Sequence, residues 1–265
     1  MVQLQGMNEP DFLKVAKQAA LEAGKIISSY AGKVHDKNIK SGDASNFATE
    51  ADLKAEEIII SRLSKHFPDH NIISEEKGKT DKGSEYTWVV DPLDGSFAFN
   101  IGLPYFAVSI GLLKKGEAYL GVVYNIPFGD LYEAVKGKGA FLNGKPIKVS
   151  TQKILMESAF AMDFGHNGKR TAKLDLYVKP LFSKVGYIFS TGSTATILSL
   201  VGKGIYDGFV VQAWIWDFVA GTVIVREAGG KVTDFAGNEP DWSQERLNIV
   251  ASNGVLHEQI LEALK

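Results

Sequence analysis

Trp88-Val89-Val90-Asp91-Pro92-Leu93-Asp94-Gly95-Ser96 is the stretch around which the chain can be read. Three apolar residues open it as a buried strand, and two carboxylates follow, separated only by Pro92 and Leu93. Pro92 fixes its own φ and biases Asp91 towards extended backbone, so the strand is expected to run into a sharp turn and a helix start. In such a turn Asp91 and Asp94 converge on one point, with the Leu93 carbonyl between them. Gly95 lets backbone approach a ligand closely, and amides at a helix start attract anions. Hard oxygen ligands beside an anion cradle suit Mg²⁺-assisted phosphate chemistry. Asp, Pro and Gly also make ordinary solvated turns, so the stretch alone leaves both readings open.

Upstream, residues 8–30 show helical spacing of Phe12, Ala16, Ala19, Ala23, Ile26, Ile27 and Tyr30, with Asn8 and Asp11 as a capping pair. Residues 33–48 read as a polar loop. A second helix is expected over 49–66, with Leu53, Ile59, Ile60, Leu63 and Phe67 as its apolar stripe. A short strand over 71–74 leads to Glu75 and Glu76, and 77–86 reads as a surface loop. Downstream, strands over 106–113, 117–125, 130–135 and 140–150 make an antiparallel meander, with Asn143-Gly144 as a hairpin turn.

From about residue 157 the pattern alternates. Strands over 158–162, 187–190 and 209–212 are separated by helices over 169–182 and from Gly192-Ser193 to about 201. A helix over 216–228 buries Trp216, Val219, Ala220, Val223 and Ile224. Strands over 231–233 and 248–251 and a helix over 255–264 close the chain. The expected architecture is an α/β (α+β) layered sandwich in two subdomains. Residues 1–150 would carry the antiparallel sheet and most metal ligands, residues 151–265 an α/β unit, with the site between them.

Composition narrows the chemistry. The 265 residues are 45% hydrophobic and 23% charged, as in an ordinary globular protein, and the net charge of −2 gives no reason to expect nucleic-acid or membrane binding. The absence of cysteine excludes thiol nucleophiles and Cys-based zinc sites. The five histidines do not suggest an imidazole centre, which leaves carboxylates and metal as the catalytic means. No apolar run approaches the ~18 residues of a membrane span, and a cytoplasmic protein is expected.

Other candidate residues have two readings each. Glu75 joins the aspartates if its strand neighbours theirs, or else begins an exposed acidic loop. Asp52, three residues after Thr49, caps a helix or serves the site. Asp217 lies in a first helical turn, where the helix dipole favours any carboxylate. Ser193 is an N-cap or part of a second anion site, and Lys40 a solvated or substrate-directed charge.

Taken together these residues resemble a known family. Thr49-x-x-Asp52, Glu75-Glu76, Asp91-Pro92-Leu93-Asp94-Gly95-Ser96 and Trp216-Asp217-x-x-Ala220-Gly221 occur in the order found in inositol monophosphatases. These are metal-dependent, lithium-sensitive sugar-phosphate phosphatases. The segment from Gly137 to Ile147 is similar to that family's hairpin, and the resemblance spans about residues 8–262. It implies a five-layer α-β-α-β-α sandwich. It also implies that Glu75, Asp91 and the Leu93 carbonyl hold a first Mg²⁺, and Asp91, Asp94 and Asp217 a second. Two or three ions are expected, with Mn²⁺ as a substitute. Glu75 and Ser96 would position the attacking water, with Asp52 bonded to the hydroxyl, and the metal-activated water would attack in line. Gly95 and Ser96 amides would bind phosphate, Lys40 would approach it, and the substrate alcohol would lie near Gly192, Ser193 and Thr194. A homodimer is likewise implied.

Several positions depart from the family pattern. Ser96 replaces Thr, Ala98 and Asn46 stand for Asn and Asp, and Phe189 for Arg. Val210, Val211 and Gln212 occupy the region where the family places an acid that grips inositol. Trp214 and Phe189 would make that wall apolar. The expected substrate is a small sugar or polyol phosphate, including inositol 1-phosphate. Fructose 1,6-bisphosphate is added by similarity to the archaeal-type members. The alternatives are a nucleotide 3′-phosphate or NADP phosphatase and a non-catalytic regulator of the same fold.

Overall fold

Residues 86–94 are apolar on both faces, so helices cover them on each side while neighbouring strands take up their backbone hydrogen bonds. The structure, a computed structural model, describes residues 9–32, 38–39, 47–165 and 170–265. Helix α1 (Glu9–Tyr30) is followed by a two-residue antiparallel ladder, β1 (Asn38–Ile39) with β2 (Phe47–Ala48), and by helix α2 (Glu50–His66). Asn8, Lys40 and Asn46 lie outside the described residues, so the expectations placed on them have no structural counterpart here. Strands β3 (Asn71–Ser74), β4 (Gly78–Thr80) and β5 (Tyr86–Asp94) precede the short helix α3 (Ser96–Asn100). Strands β6 (Ala107–Lys114), β7 (Glu117–Asn125), β8 (Asp130–Val135), β9 (Ala140–Leu142) and β10 (Lys145–Pro146) complete an eight-stranded sheet.

Its order is β10-β9-β8-β7-β6-β5-β3-β4, antiparallel except for β3 beside β5. Val89 turns to an inner core while Trp88 and Val90 pack under α1 and α2, the alternation a central strand needs. Asn143 and Gly144 both take positive φ in the expected hairpin turn. Two expectations are corrected in this half. The excursion after Glu76 contains strand β4, and the strand pattern over 140–150 ends at Pro146.

A second sheet follows. Strand β11 (Ala159–Met162) leads to α4 (Arg170–Lys173), a π-helical stretch Leu174–Val178, and α5 (Lys179–Phe182). Then come β12 (Tyr187–Phe189), α6 (Thr194–Gly202), β13 (Gly208–Trp214), α7 (Ile215–Glu227), β14 (Lys231–Thr233), β15 (Arg246–Ser252) and α8 (His257–Leu264). The order β12-β11-β13-β15-β14 mixes parallel and antiparallel pairs. Helices α6 and α7 lie between the two sheets, α1 and α2 cover the outer face of the larger, and α5 and α8 cover that of the smaller. The result is the five-layer sandwich expected from the resemblance. No helix among the described residues is long and apolar enough to cross a membrane.

Helix α7 is buried on nearly all sides because it is the central layer, not only along the stripe read from the sequence. Gly111 and Gly121, paired across β6 and β7, let it approach. A Cβ on Gly121 would lie 2.1 Å from the Ala220 carbonyl oxygen, and one on Gly111 would lie 2.6 Å from Val219 Cγ1. Gly121→Ala should therefore push α7 outward and destabilise the fold by ~3 kcal/mol or more, at the upper end of overpacking costs. A denaturant midpoint equal to wild type would show that the helix yields freely.

In α2 the stripe needs correction. Leu53 is 40% exposed, whereas Asp52 and Glu56 are fully buried beside Ala55, Ile59 and Leu63. His66 and His70 stand four residues apart but form no pair. His66 meets the Arg62 carbonyl, while His70 stacks on Tyr86 and Phe67 and accepts a bond from the Trp88 indole N–H at 3.1 Å.

Candidate active site

Strand β5 does not end before the aspartates; it continues to Asp94 through a bulge. Asp91 pairs with Ser109 and Asp94 with Ala107, so three steps on β5 match two on β6. Pro92 has no N–H for the ladder, which is why the irregularity falls there. A regular strand would put residues three apart on opposite faces; the bulge turns Asp91 and Asp94 to the same side. The Leu93 N–H donates to Asp91 Oδ1 at 2.9 Å, fixing the turn. Gly95 follows at φ 89, where an added Cβ would lie 2.5 Å from the Tyr105 carbonyl oxygen.

Asp217 comes from the first turn of α7, where its Oδ2 accepts from the Trp214 N–H at 2.8 Å. It thus combines the capping role and the site role that the sequence left as alternatives. Carboxylate oxygens of Asp91, Asp94 and Asp217 all lie within 4.8 Å of one another. Glu75 arrives by strand pairing: β3 runs parallel to β5 with Ser74 opposite Val90, and the Glu75 N–H donates to the Val90 carbonyl at 3.2 Å.

The electrostatics are those of a site built for a cation. Burial, then Glu75, Asp94 and Asp217, hold Asp91 well above the usual carboxylate range. Burial, then Asp94 and Glu75, raise Asp217 likewise. Asp94 is pushed up to about 6 by burial, against the bonds it accepts from Ser193, Ala195 and Thr194. No lysine or arginine among the described residues pairs with any of the three. Converging carboxylates without a counter-charge are expensive, and a hard divalent cation with oxygen preference removes that cost.

Around this cluster the candidate residues fall into two groups. Asp52 accepts from the Thr49 N–H at 2.7 Å, from the Thr49 hydroxyl, and from Ser96 Oγ at 2.8 Å. Ser96 Oγ also lies 2.8 Å from the Leu93 carbonyl. Burial raises the Asp52 carboxyl, with the Thr49 bonds opposing. On the other side, Ser193 Oγ donates to Asp94 at 2.6 Å, and the Thr194 and Ala195 amides donate to it at 3.1 and 2.6 Å. Asp94 therefore also anchors the start of α6. The hydroxyl of Ser193 and the amide of Thr194, residues near which the resemblance places the substrate alcohol, both donate to Asp94.

A cavity of about 190 Å³ opens on Asp94 and Asp217 and is walled by Gly192, Ser193, Thr194, Gln212 and Trp214, among others. Phe189 is not part of that wall; it packs on the Tyr206 ring at 5.4 Å. Val210 is fully buried in the outer core, and Val211 in the inner one, so neither faces substrate. Sequence reading missed three residues here. Lys173, ion-paired to Asp163, lines the cavity, and so does Arg246, whose guanidinium lies 5.0 Å from the Trp214 ring centre. Neither has a sequence signal, since strand pairing of Trp214 with Arg246 and the ion pair of Lys173 with Asp163 place them. The third is Glu56, whose Oε1 accepts from the Ser74 hydroxyl and the Glu76 and Lys77 amides. The helical spacing 52, 56, 59, 63 could have revealed it.

Known proteins resemble this chain over nearly its whole length. A profile of the inositol monophosphatase family matches residues 8–265. A protein of Aquifex aeolicus named fructose-1,6-bisphosphatase/inositol-1-monophosphatase is 38% identical over 260 residues, 97% of each chain. The Nus factor SuhB of Escherichia coli is 37% identical over 252 residues, 91% of each chain. The crystal structure of extragenic suppressor protein suhB from Bartonella henselae has a TM-score of 0.89 at 34% identity, covering 96% of this chain and 98% of that one. The chain belongs to the inositol monophosphatase family of phosphoric monoester hydrolases.

Proposed function

We propose that this protein is a Mg²⁺-dependent phosphomonoesterase acting on a small sugar or polyol phosphate. The observation that carries the reading is the convergence of Asp91, Asp94 and Asp217, of which Asp94 and Asp217 line a cavity of about 190 Å³. Glu75, Asp91 and the Leu93 carbonyl would hold one ion, and Asp91, Asp94 and Asp217 another. Bound Mg²⁺ supplies Lewis-acid polarisation of the phosphoryl group and lowers the pKa of water at the site.

The chain's own groups handle the proton. With Asp52 ionised, Ser96 donates to its Oδ1; with Asp52 protonated, the acid donates to Ser96 Oγ, which turns its own proton to the Leu93 carbonyl. The dyad can thus take a proton from a water at Ser96 and keep it on Asp52 Oδ1. Glu75 would orient that water, and the Gly95 and Ser96 amides would receive the phosphate. Ser193 and Thr194 serve indirectly by fixing Asp94, while Gly192 borders the substrate. Lithium sensitivity, a cytoplasmic location and a homodimer belong to the same reading. Exposed Phe97, Ile101, Leu103 and Phe128 around α3 support the last.

Arg246 favours a second reading within this one, substrates with another anionic group, such as fructose 1,6-bisphosphate. Its guanidinium stacks on Trp214 and forms no ion pair among the described residues. No buried carboxylate stands at Val210 to pair with inositol hydroxyls, and unpaired polar contacts are what discriminate strongly. Phosphate release from inositol 1-phosphate, glycerol 2-phosphate and fructose 1,6-bisphosphate, compared as kcat/KM at one Mg²⁺ concentration, tests both readings. Inositol 1-phosphate is expected to lead by less than roughly 100-fold, about 2.7 kcal/mol. Turnover of none of these would favour the regulatory alternative suggested by the relative named Nus factor.

A further inference from the structure

Helix α2 carries two buried carboxylates one turn apart, Asp52 and Glu56, and each grips a different ligand-bearing segment. Asp52 takes the Ser96 hydroxyl and so fixes the chain just after Asp91 and Asp94. Glu56 takes the turn that carries Glu75. Its Oε1 accepts from the Ser74 hydroxyl and from the Glu76 and Lys77 amides, both at 3.0 Å, so its bonds lie on both sides of Glu75 in sequence. Glu56 is fully buried, and its Oε2 has no hydrogen-bond partner among the described residues. Burying a carboxylate that is only half satisfied costs free energy that an apolar residue at this position would not. The arrangement makes sense for what it holds in place.

We propose that Glu56 is a positioning residue for Glu75, fixing the 74–77 turn so that the Glu75 carboxylate meets the metal site at Asp91 and the Leu93 carbonyl. This rests on the assignment of Glu75 to the metal made above. Partners that orient a metal ligand commonly contribute 10–100-fold in affinity. Because Asp52 and Glu56 share one rigid helix, their spacing also sets the two ligand segments relative to each other.

The test is Mg²⁺ binding to the full-length protein by titration calorimetry at fixed pH, alongside thermal unfolding without metal. Glu75→Gln and Glu56→Ala are each expected to raise the Mg²⁺ Kd by about tenfold. The double variant should bind no more weakly than Glu75→Gln alone, because Glu56 acts through Glu75. Glu56→Gln, which keeps an oxygen for the same donors, should raise Kd by less than about threefold. Additive losses in the double variant would overturn the proposal. So would an unchanged Kd in Glu56→Ala with a lowered unfolding temperature, the signature of a merely structural prop. If Glu56→Ala does not fold, Glu56→Asp replaces it, since the carboxylate is withdrawn by one methylene; an unchanged Kd there overturns the proposal as well. A Glu75→Gln protein with wild-type Mg²⁺ affinity removes the Glu75 assignment and this inference together. A normal loss in Glu75→Gln with none in Glu56→Ala removes the inference alone.

Discussion

Asp91→Asn is expected to lower kcat/KM for phosphate release by roughly 10³-fold or more, about 4 kcal/mol of transition-state stabilisation. The same substitution should leave the metal-free protein at least as stable as wild type. Asp91 is the carboxylate that the proposed function assigns to both ions, so its loss would disturb both. Its Oδ1 accepts the Leu93 amide, a bond that the Asn carbonyl can keep. Its charge, held against burial and against Glu75, Asp94 and Asp217, is a burden when no cation is bound. The measurements are steady-state kinetics at saturating Mg²⁺ and a denaturation midpoint in chelator. Activity within tenfold of wild type would remove Asp91 from the site. Asp94→Asn should differ in stability, because Asp94 also receives Ser193, Thr194 and Ala195 at the start of α6. An amide there turns one N–H group towards donors, and metal-free stability should fall.

Metal-free protein is expected to lose stability as pH rises through about 6, and Mg²⁺ should restore it. Asp94 ionises near 3.8 when unfolded and at about 6 in the fold. Between those values the folded state binds more protons, so ∂ΔG/∂pH for unfolding is negative. The contribution is fully present below pH 3.8 and lost as pH passes about 6. Asp91 and Asp217, raised by the same burial and repulsion, add to the loss in the same direction. The total is on the order of a few kcal/mol at ~1.4 kcal/mol per pH unit. A cation at one hundred times its Kd returns ~2.7 kcal/mol. Unfolding temperatures from pH 4 to 8, in chelator and in excess Mg²⁺, check this: the two curves should diverge with rising pH. Parallel curves would mean that the cluster's charge is relieved by something other than the metal.

The sequence determined the layers and the inventory of ligands. Helical spacing announced α1, and a strand meander followed by alternating strands and helices announced a layered sandwich; the order of acidic motifs supplied the likeness to the family. Tertiary structure decided what local pattern does not carry. Three aspartates meet because a bulge at Pro92 turns Asp91 and Asp94 to one side and because Gly111 and Gly121 admit α7 close enough to bring Asp217. Periodicity places Leu53 in the apolar stripe of α2 and passes over Glu56, because it counts hydrophobic residues and not buried hydrogen bonds. Arg246 and Lys173 reach the cavity through pairing and turns between segments far apart in sequence. The residues able to hold a cation were thus written in the chain, while their convergence was set by long-range packing, since a carboxylate's neighbours across sheets leave no trace in its own sequence.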